Sequence, residues 1–258
     1  MTGFEFLNIE MTAEHVATVT MARPPVNAVN VPMYLEIQRL FGSTDELVPD
    51  ARAIILTGEG KHFCGGNDLT EFQTMTPENY EERMVEVRKA FWAIRDCSVP
   101  VVAAVAGVAV GTGLALAASS DLIVASEDAR FSLPEIQVGA MGGARHLMRL
   151  APLGVVRRMH LTGDPVPAAE LAQYGGIDSV VPREELLSAA HALAARIVRH
   201  SPIAIRICKR SLNTIESMEL KEGYEFEQSL TGELSSYDDA KEAVNAFFER
   251  REPVYTGS

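Results

Sequence analysis

From His15 to Met21 (HVATVTM) β-branched and apolar residues crowd a short run, which stops at Ala22-Arg23-Pro24-Pro25; the pattern predicts a strand closed by a rigid turn. After a loop carrying Asn27 and Asn30, Met33, Ile37, Leu40 and Phe41 recur at helical spacing. Pro32 stands early and Asn30 is placed as N-cap, so a helix is expected there. Arg52–Thr57 reads as a short buried strand. Pro77–Cys97 reads as a helix with Met84, Val87, Phe91 and Ile94 on one face. A strand over Pro100–Val105, a glycine turn over Gly107–Gly113 and an apolar helix over Leu114–Ala118 follow, then strands over Asp121–Ala125 and Arg130–Leu133. Beyond Gly142 the pattern is helical, at Leu153–Leu161, Pro167–Tyr174, Glu184–Arg199, Pro202–Ile215, Met218–Glu233 and Asp238–Arg251. Strand-strand-helix units that give way to helices imply an α/β fold. Val99–Ala118 is long enough to span a membrane, but Pro100, Gly107, Gly111 and Gly113 break it, so it reads as a buried strand and a buried helix.

Composition narrows the partners. The 258 residues are 47% hydrophobic and 22% charged, as in an ordinary folded protein with a sizeable core. Asp and Glu outnumber Lys and Arg by 35 to 23, a net charge of -12, which argues against nucleic acid as a partner. A small polyanion remains possible where backbone N–H groups and local cations cradle it, because screening limits the general field to about 8 Å. Cys64, Cys97 and Cys208 form no CxxC pair, and the six histidines lack ligand spacing, so neither disulfides nor a metal site is expected. With no basic, apolar leader at Met1–Glu10, a reducing cytoplasm is the expected setting and no membrane is implied.

GxxxxGK[ST], GxSxG, HExxH and a GxGxxG in strand-to-helix context are all missing, which leaves nucleotide hydrolysis, serine hydrolysis and zinc catalysis without support. Two glycine-rich turns remain, each after a buried strand: His62-Phe63-Cys64-Gly65-Gly66-Asn67-Asp68-Leu69 and Ala106-Gly107-Val108-Ala109-Val110-Gly111-Thr112-Gly113-Leu114. With Arg23-Pro24-Pro25-Val26-Asn27-Ala28, Asp121-Leu122-Ile123-Val124, Phe131-Ser132-Leu133-Pro134-Glu135 and Leu161-Thr162-Gly163-Asp164, they resemble the enoyl-CoA hydratase/isomerase, or crotonase, family along nearly the whole chain.

That resemblance implies a crotonase-type spiral over 1–195 and a C-terminal helical segment over 196–258 that closes the cleft and makes subunit contacts within one continuous domain. A homotrimer or dimer of trimers is the implied assembly. It also implies an acyl-CoA thioester substrate, with coenzyme A entering as part of the substrate and no separate cofactor. Two backbone N–H groups would stabilise the thioester oxyanion, and the family pattern assigns them to Gly65 and Thr112, the latter at a helix N-terminus. Of the family's two hydratase glutamates, one position holds Ala115 and the other Glu135. Alanine cannot orient water. The resemblance therefore implies Glu135 as a single proton shuttle, as in Δ3,Δ2-enoyl-CoA isomerases, its pKa raised by Leu133, Pro134, Ile136 and Met141. Alternatives are hydration or another one-glutamate reaction such as decarboxylation or thioester hydrolysis, and, in a different class, a CoA-ester-binding protein without chemistry. Pro25, Val26, Cys64, Gly66, Asp68, Gly111, Gly143 and Arg250 are the expected substrate contacts. Cys64 also reads as a small buried residue, Asp68 as a brace of its turn, and Arg250 equally as a solvated helix end. His62, expected on the turn surface, and His146, expected on a helix, are the reserve candidates for handling water.

Overall fold

The computed structural model describes residues 3–258. The first elements are β1 (Leu7–Met11), β2 (Val16–Met21), α1 (Val31–Gly42), α2 (Thr44–Leu47), β3 (Ala53–Gly58), α3 (Leu69–Phe72) and α4 (Tyr80–Arg95). They are followed by β4 (Val101–Val105), β5 (Val108–Val110), α5 (Thr112–Ser119), β6 (Leu122–Ser126), β7 (Arg130–Ser132), α6 (Ala144–Leu147) and α7 (Leu153–Thr162). The chain ends with β8 (Val166–Pro167), α8 (Ala168–Gln173), β9 (Ser179–Val181), α9 (Leu186–Val198), α10 (Pro202–Ile215), α11 (Leu220–Leu234) and α12 (Asp238–Glu249).

One sheet runs in the order β1-β2-β3-β4-β6-β9, antiparallel at β1–β2 and parallel across the rest. A smaller sheet, β5-β7-β8, stands beside it. The parallel strands read as continuous apolar runs because both faces are covered. Ile54 and Leu56 of β3 enter the core that includes α1, α4 and α5, while Ala53 and Ile55 face the core that includes Leu186, Ala190 and Ala194 of α9. The α1 start is local chemistry: Asn30 Oδ1 accepts from the Met33 N–H at 3.0 Å, satisfying a donor the helix cannot.

Three expectations change. The Gly107–Gly113 turn contains a strand, β5, which pairs in parallel with β7; its alternating Val108 and Val110 suit an extended backbone. The region beyond Gly142 is not purely helical, since β8 and β9 each extend a sheet from within it. The division at 195/196 falls inside α9, a helix that covers the main sheet, so the change of character comes after Val198. Past it, α10 is anchored by Lys209, whose buried ammonium donates to the Asp121 carboxylate at 2.8 Å and the Val99 carbonyl at 3.0 Å. Leu220, Phe247 and Phe248 of α11 and α12 are 88%, 79% and 78% exposed. Among the described residues, no helix is long and apolar enough to cross a membrane.

Candidate active site

The turn after β2 and the glycine loop after β3 are knotted together by one side chain. Asn27, buried with φ 54°, donates its amide to the carbonyls of Glu59 and His62 at 3.0 and 2.8 Å and accepts from the Arg23 N–H at 3.0 Å. The loop then pairs twice with its surroundings: Cys64 bridges Ala109 of β5, and Asn67 bridges Val29, both in parallel.

These pairings decide which N–H groups are free. The Gly65 N–H donates to the Val26 carbonyl at 2.7 Å. It is therefore spent on structure, and the oxyanion donor expected at Gly65 is corrected on that ground. Two residues on, the bonds Val29 N to Gly66 O (2.8 Å) and Asp68 N to Val29 O (2.9 Å) flank Asn67, so the N–H of Asn67 points away from Val29. It has no partner among the described residues. The N–H of Thr112 is also without one, as expected for the first residue of a helix. Asn67 was missed because its glycine neighbours carry the sequence signal, while N–H direction depends on pairing with a distant segment.

Two glycines set α5 against this loop. A Cβ on Gly113 would lie 2.4 Å from the Cys64 carbonyl oxygen, so the helix start and the loop touch backbone to backbone. Gly111, the residue before α5, has φ 52°, and a Cβ there would lie 2.5 Å from Glu135 Oε1. The Glu135 carboxylate thus rests on the Cα preceding the free Thr112 N–H. The side chains of Asn67 and Thr112 meet one further group: the buried hydroxyl of Tyr34 in α1 donates to Asn67 Oδ1 and lies 2.7 Å from Thr112 Oγ1.

Glu135 is half-buried on a single 3-10 turn over Pro134–Val138, and its Oε2 is sealed from solvent without a hydrogen-bond partner among the described residues. Burial pushes its carboxyl above the ordinary carboxylate range, against smaller opposing effects of its own backbone N–H and of His160. The apolar wall differs from expectation, for Leu133 is buried whereas Ile136 and Met141 are 52% and 82% exposed. His160, on α7 beside that turn, is the neighbour of Glu135 that the sequence reading missed.

The remaining expected residues divide. Val26 packs on Gly65 and holds its N–H, and Gly143 backs onto Leu133 behind Glu135. Gly66 is buried against the Val110 carbonyl, and Pro25 is exposed on the turn. Cys64 is fully buried, its thiol pushed up to about 12 by burial, so it is corrected from substrate contact to core residue. Asp68 caps α3 through Thr70 and ion-pairs with Arg23 at 2.5 Å, contacts that hold its carboxyl below the usual range; it braces the loop instead of facing a ligand. Arg250 caps α12 in the left-handed region at φ 54°, exposed, with no ion pair among the described residues. His62 is half-buried with its Nδ1 against Gly107, not on the turn surface; His146 lies on α6 edge-on to Phe91 at 4.9 Å, its pKa lowered by burial. A cavity of about 690 Å³ lies instead between the main sheet and α10, beside Asp121, Lys209 and Leu212. Among the described residues no group of three His, Cys, Asp or Glu side chains could hold a metal ion.

Comparison with known proteins agrees with this architecture. The family described as enoyl-CoA hydratase/isomerase matches residues 11–258. A (7aS)-7a-methyl-1,5-dioxo-2,3,5,6,7,7a-hexahydro-1H-indene-carboxyl-CoA hydrolase of Rhodococcus jostii is 37% identical, with 92% of each chain covered. A short-chain-enoyl-CoA hydratase of Clostridium acetobutylicum is 33% identical over 92% of each. The crystal structure of an enoyl-CoA hydratase from Bacillus anthracis superimposes with a TM-score of 0.92 at 28% identity, covering 98% of this chain and 100% of that one.

Proposed function

The chain belongs to the enoyl-CoA hydratase/isomerase family, and on that premise we propose that it moves a double bond in an acyl-CoA thioester from the 3 to the 2 position, with Glu135 as the only proton carrier. The observation that carries this reading is the Glu135 carboxylate resting against Gly111 with one oxygen buried and unpartnered, while the position of the family's second glutamate is Ala115, 2% exposed within α5.

In this mechanism the N–H groups of Asn67 and Thr112 receive the thioester oxygen. Glu135 takes a proton from C2 of a 3-enoyl-CoA; the C–H electron pair delocalises into a dienolate whose charge falls on that oxygen. The protonated Glu135 then returns the proton to C4 as the electrons close the C2=C3 bond. The raised carboxyl pKa suits both halves of the transfer. The route needs no resident cofactor; coenzyme A comes with the substrate, and Arg250 is assigned to its phosphate end. A trimer or dimer of trimers belongs to the same proposal, supported by the exposed Leu220, Phe247 and Phe248.

A second reading is hydrolysis of an acyl-CoA thioester, favoured by the relatives from Rhodococcus jostii and Mycobacterium tuberculosis that are named carboxyl-CoA hydrolases, each 37% identical. Hydration is favoured by relatives named hydratases, but Ala115 offers nothing to hold the water.

The test is to supply 3-hexenoyl-CoA and, separately, trans-2-hexenoyl-CoA and to follow the absorbance of the conjugated thioester. A rise with the first ester and no fall with the second is expected, and Glu135→Gln abolishes the rise by about a thousandfold in kcat while binding persists. A fall with the second ester overturns the reading in favour of hydration. Loss of the double-bond signal in neither ester, with free coenzyme A released instead, moves it to thioester hydrolysis; tight binding of every ester without turnover leaves a binding protein.

A further inference from the structure

The two N–H groups assigned to the oxyanion come from separate parts of the fold, the strand-like loop at Asn67 and the first turn of α5 at Thr112. Their mutual position sets whether both reach one oxygen, and an error of about 1 Å in such a geometry costs about a hundredfold in rate. Backbone contact at Gly113 brings the two parts together but fixes neither donor's direction. The side chains of the same two residues are both polar, and one buried hydroxyl touches both: Tyr34, 2% exposed.

Proton counting gives this contact a direction. Asn67 Oδ1 can only accept, so the single Tyr34 proton goes to it; the Thr112 hydroxyl, 2.7 Å away, then donates to the Tyr34 oxygen. The chain Thr112 to Tyr34 to Asn67 is complete and fixes both residues' rotamers. Its middle member is held independently of the loops. Asn30 caps the helix that carries Tyr34, and Phe91 of α4 meets the Tyr34 ring edge-on at 6.5 Å. A plain core residue would need no such partners, and the helical periodicity around Met33 and Ile37 would be served equally by an aliphatic side chain.

We propose that Tyr34 is a positioning residue of the oxyanion hole: pairing with Val29 directs the Asn67 N–H and the helix start directs that of Thr112, and the Tyr34 hydroxyl sets the spacing between the two. This rests on the assignment of those two N–H groups to the thioester oxygen, and it deepens that assignment: the hole is tuned from behind by a group that never meets the substrate.

The experiment reads polarisation of the bound thioester carbonyl directly. Butanoyl-CoA, saturated and so without a double bond to move, carries 13C at the thioester carbonyl, and isotope-edited infrared spectra record its stretch free and bound. The wild-type protein lowers the stretch. Tyr34→Phe loses most of that shift with butanoyl-CoA affinity unchanged and the thermal midpoint lowered only by the lost hydrogen bonds, and kcat on 3-hexenoyl-CoA falls about tenfold at constant KM. Thr112→Val cuts the same chain from the other side while leaving every backbone N–H in place, so it loses the shift similarly. The double variant loses no more than either single one. A Tyr34→Phe protein that keeps the full shift overturns the proposal, as do additive losses in the double variant, which would mark two independent packing defects. The failure of the functional reading looks different: no shift in the wild type removes the hole itself, whereas a shift without turnover of 3-hexenoyl-CoA removes the reaction and leaves the role of Tyr34 standing.

Discussion

The two glycine-rich loops present the same sequence signal and do different things with it. In the loop at Cys64–Asp68 the backbone pairs on two sides, Cys64 with β5 and Gly65, Gly66 and Asp68 with the Val26–Val29 segment; the N–H of Gly65 is consumed by Val26 while that of Asn67 is left over. In the loop at Gly111–Gly113 a helix begins, so the first N–H groups are orphaned by helical geometry whatever the residue. The glycines themselves donate nothing that another residue could not. They permit close approach, of Val26 to Gly65, of Cys64 to Gly113 and of Glu135 to Gly111. Glycine marks where the backbone must be approached; pairing decides which N–H remains free.

Substitutions at the three glycines test this contrast. The largest effect is expected at Gly111, where alanine combines a disfavoured φ with a Cβ on the Glu135 carboxylate; displacing that group lowers kcat by about a hundredfold or more, measured as initial rates with the processed ester. Next is Gly113→Ala, whose Cβ meets backbone that cannot swing aside; it costs about 1–3 kcal/mol of stability in urea denaturation, with a loss of turnover as the loops separate. Gly65→Ala meets the Val26 side chain, its methyl at 2.8 Å and its Cβ at 3.0 Å, so it costs about 1 kcal/mol and leaves turnover within a factor of about three, because the Gly65 N–H serves Val26 and not the oxyanion. A collapse of turnover at constant stability in Gly65→Ala would reverse the assignment and restore Gly65 to the hole.

The pH response sharpens the picture at Glu135. Proton abstraction needs the carboxylate, so kcat/KM falls as the medium is acidified, and because burial raises the pKa this limb lies above the ordinary glutamate range. The stability sign is opposite. A carboxyl whose folded pKa is raised favours folding when protonated, and that contribution is lost as pH rises through the folded value. Glu135→Gln, neutral at every pH, is therefore expected to melt slightly higher than wild type at neutral pH in differential scanning calorimetry, the smallest of these effects. An unchanged or lower midpoint would mean the buried oxygen is not strained.

Local features were legible in the sequence. The Asn30 cap, the apolar stripe of α1, the buried strands flanking each loop and the Pro134-Glu135 turn all follow from short-range rules. Features that depend on partners distant in the chain were not. Val29 determines the direction of the Asn67 N–H, and Val26 removes Gly65; neither effect leaves a mark within the motif. Tyr34 sits among apolar helix positions and reads as core until Asn67 and Thr112 are placed against it. The boundary near 195 failed for a related reason, since α9 resembles the helices that follow it while packing on strands that precede it.

The Tyr34 link also bears on the order in which the molecule matures. It closes 33 positions of chain toward Asn67 and 78 toward Thr112, contacts whose loop-closure entropy places them late in folding, whereas α1 and α5, which carry Tyr34 and Thr112, form from neighbours a few residues apart. A refolding chain therefore regains its far-ultraviolet dichroism well before it can polarise a thioester, and the last native property to return is the shape of the oxyanion hole.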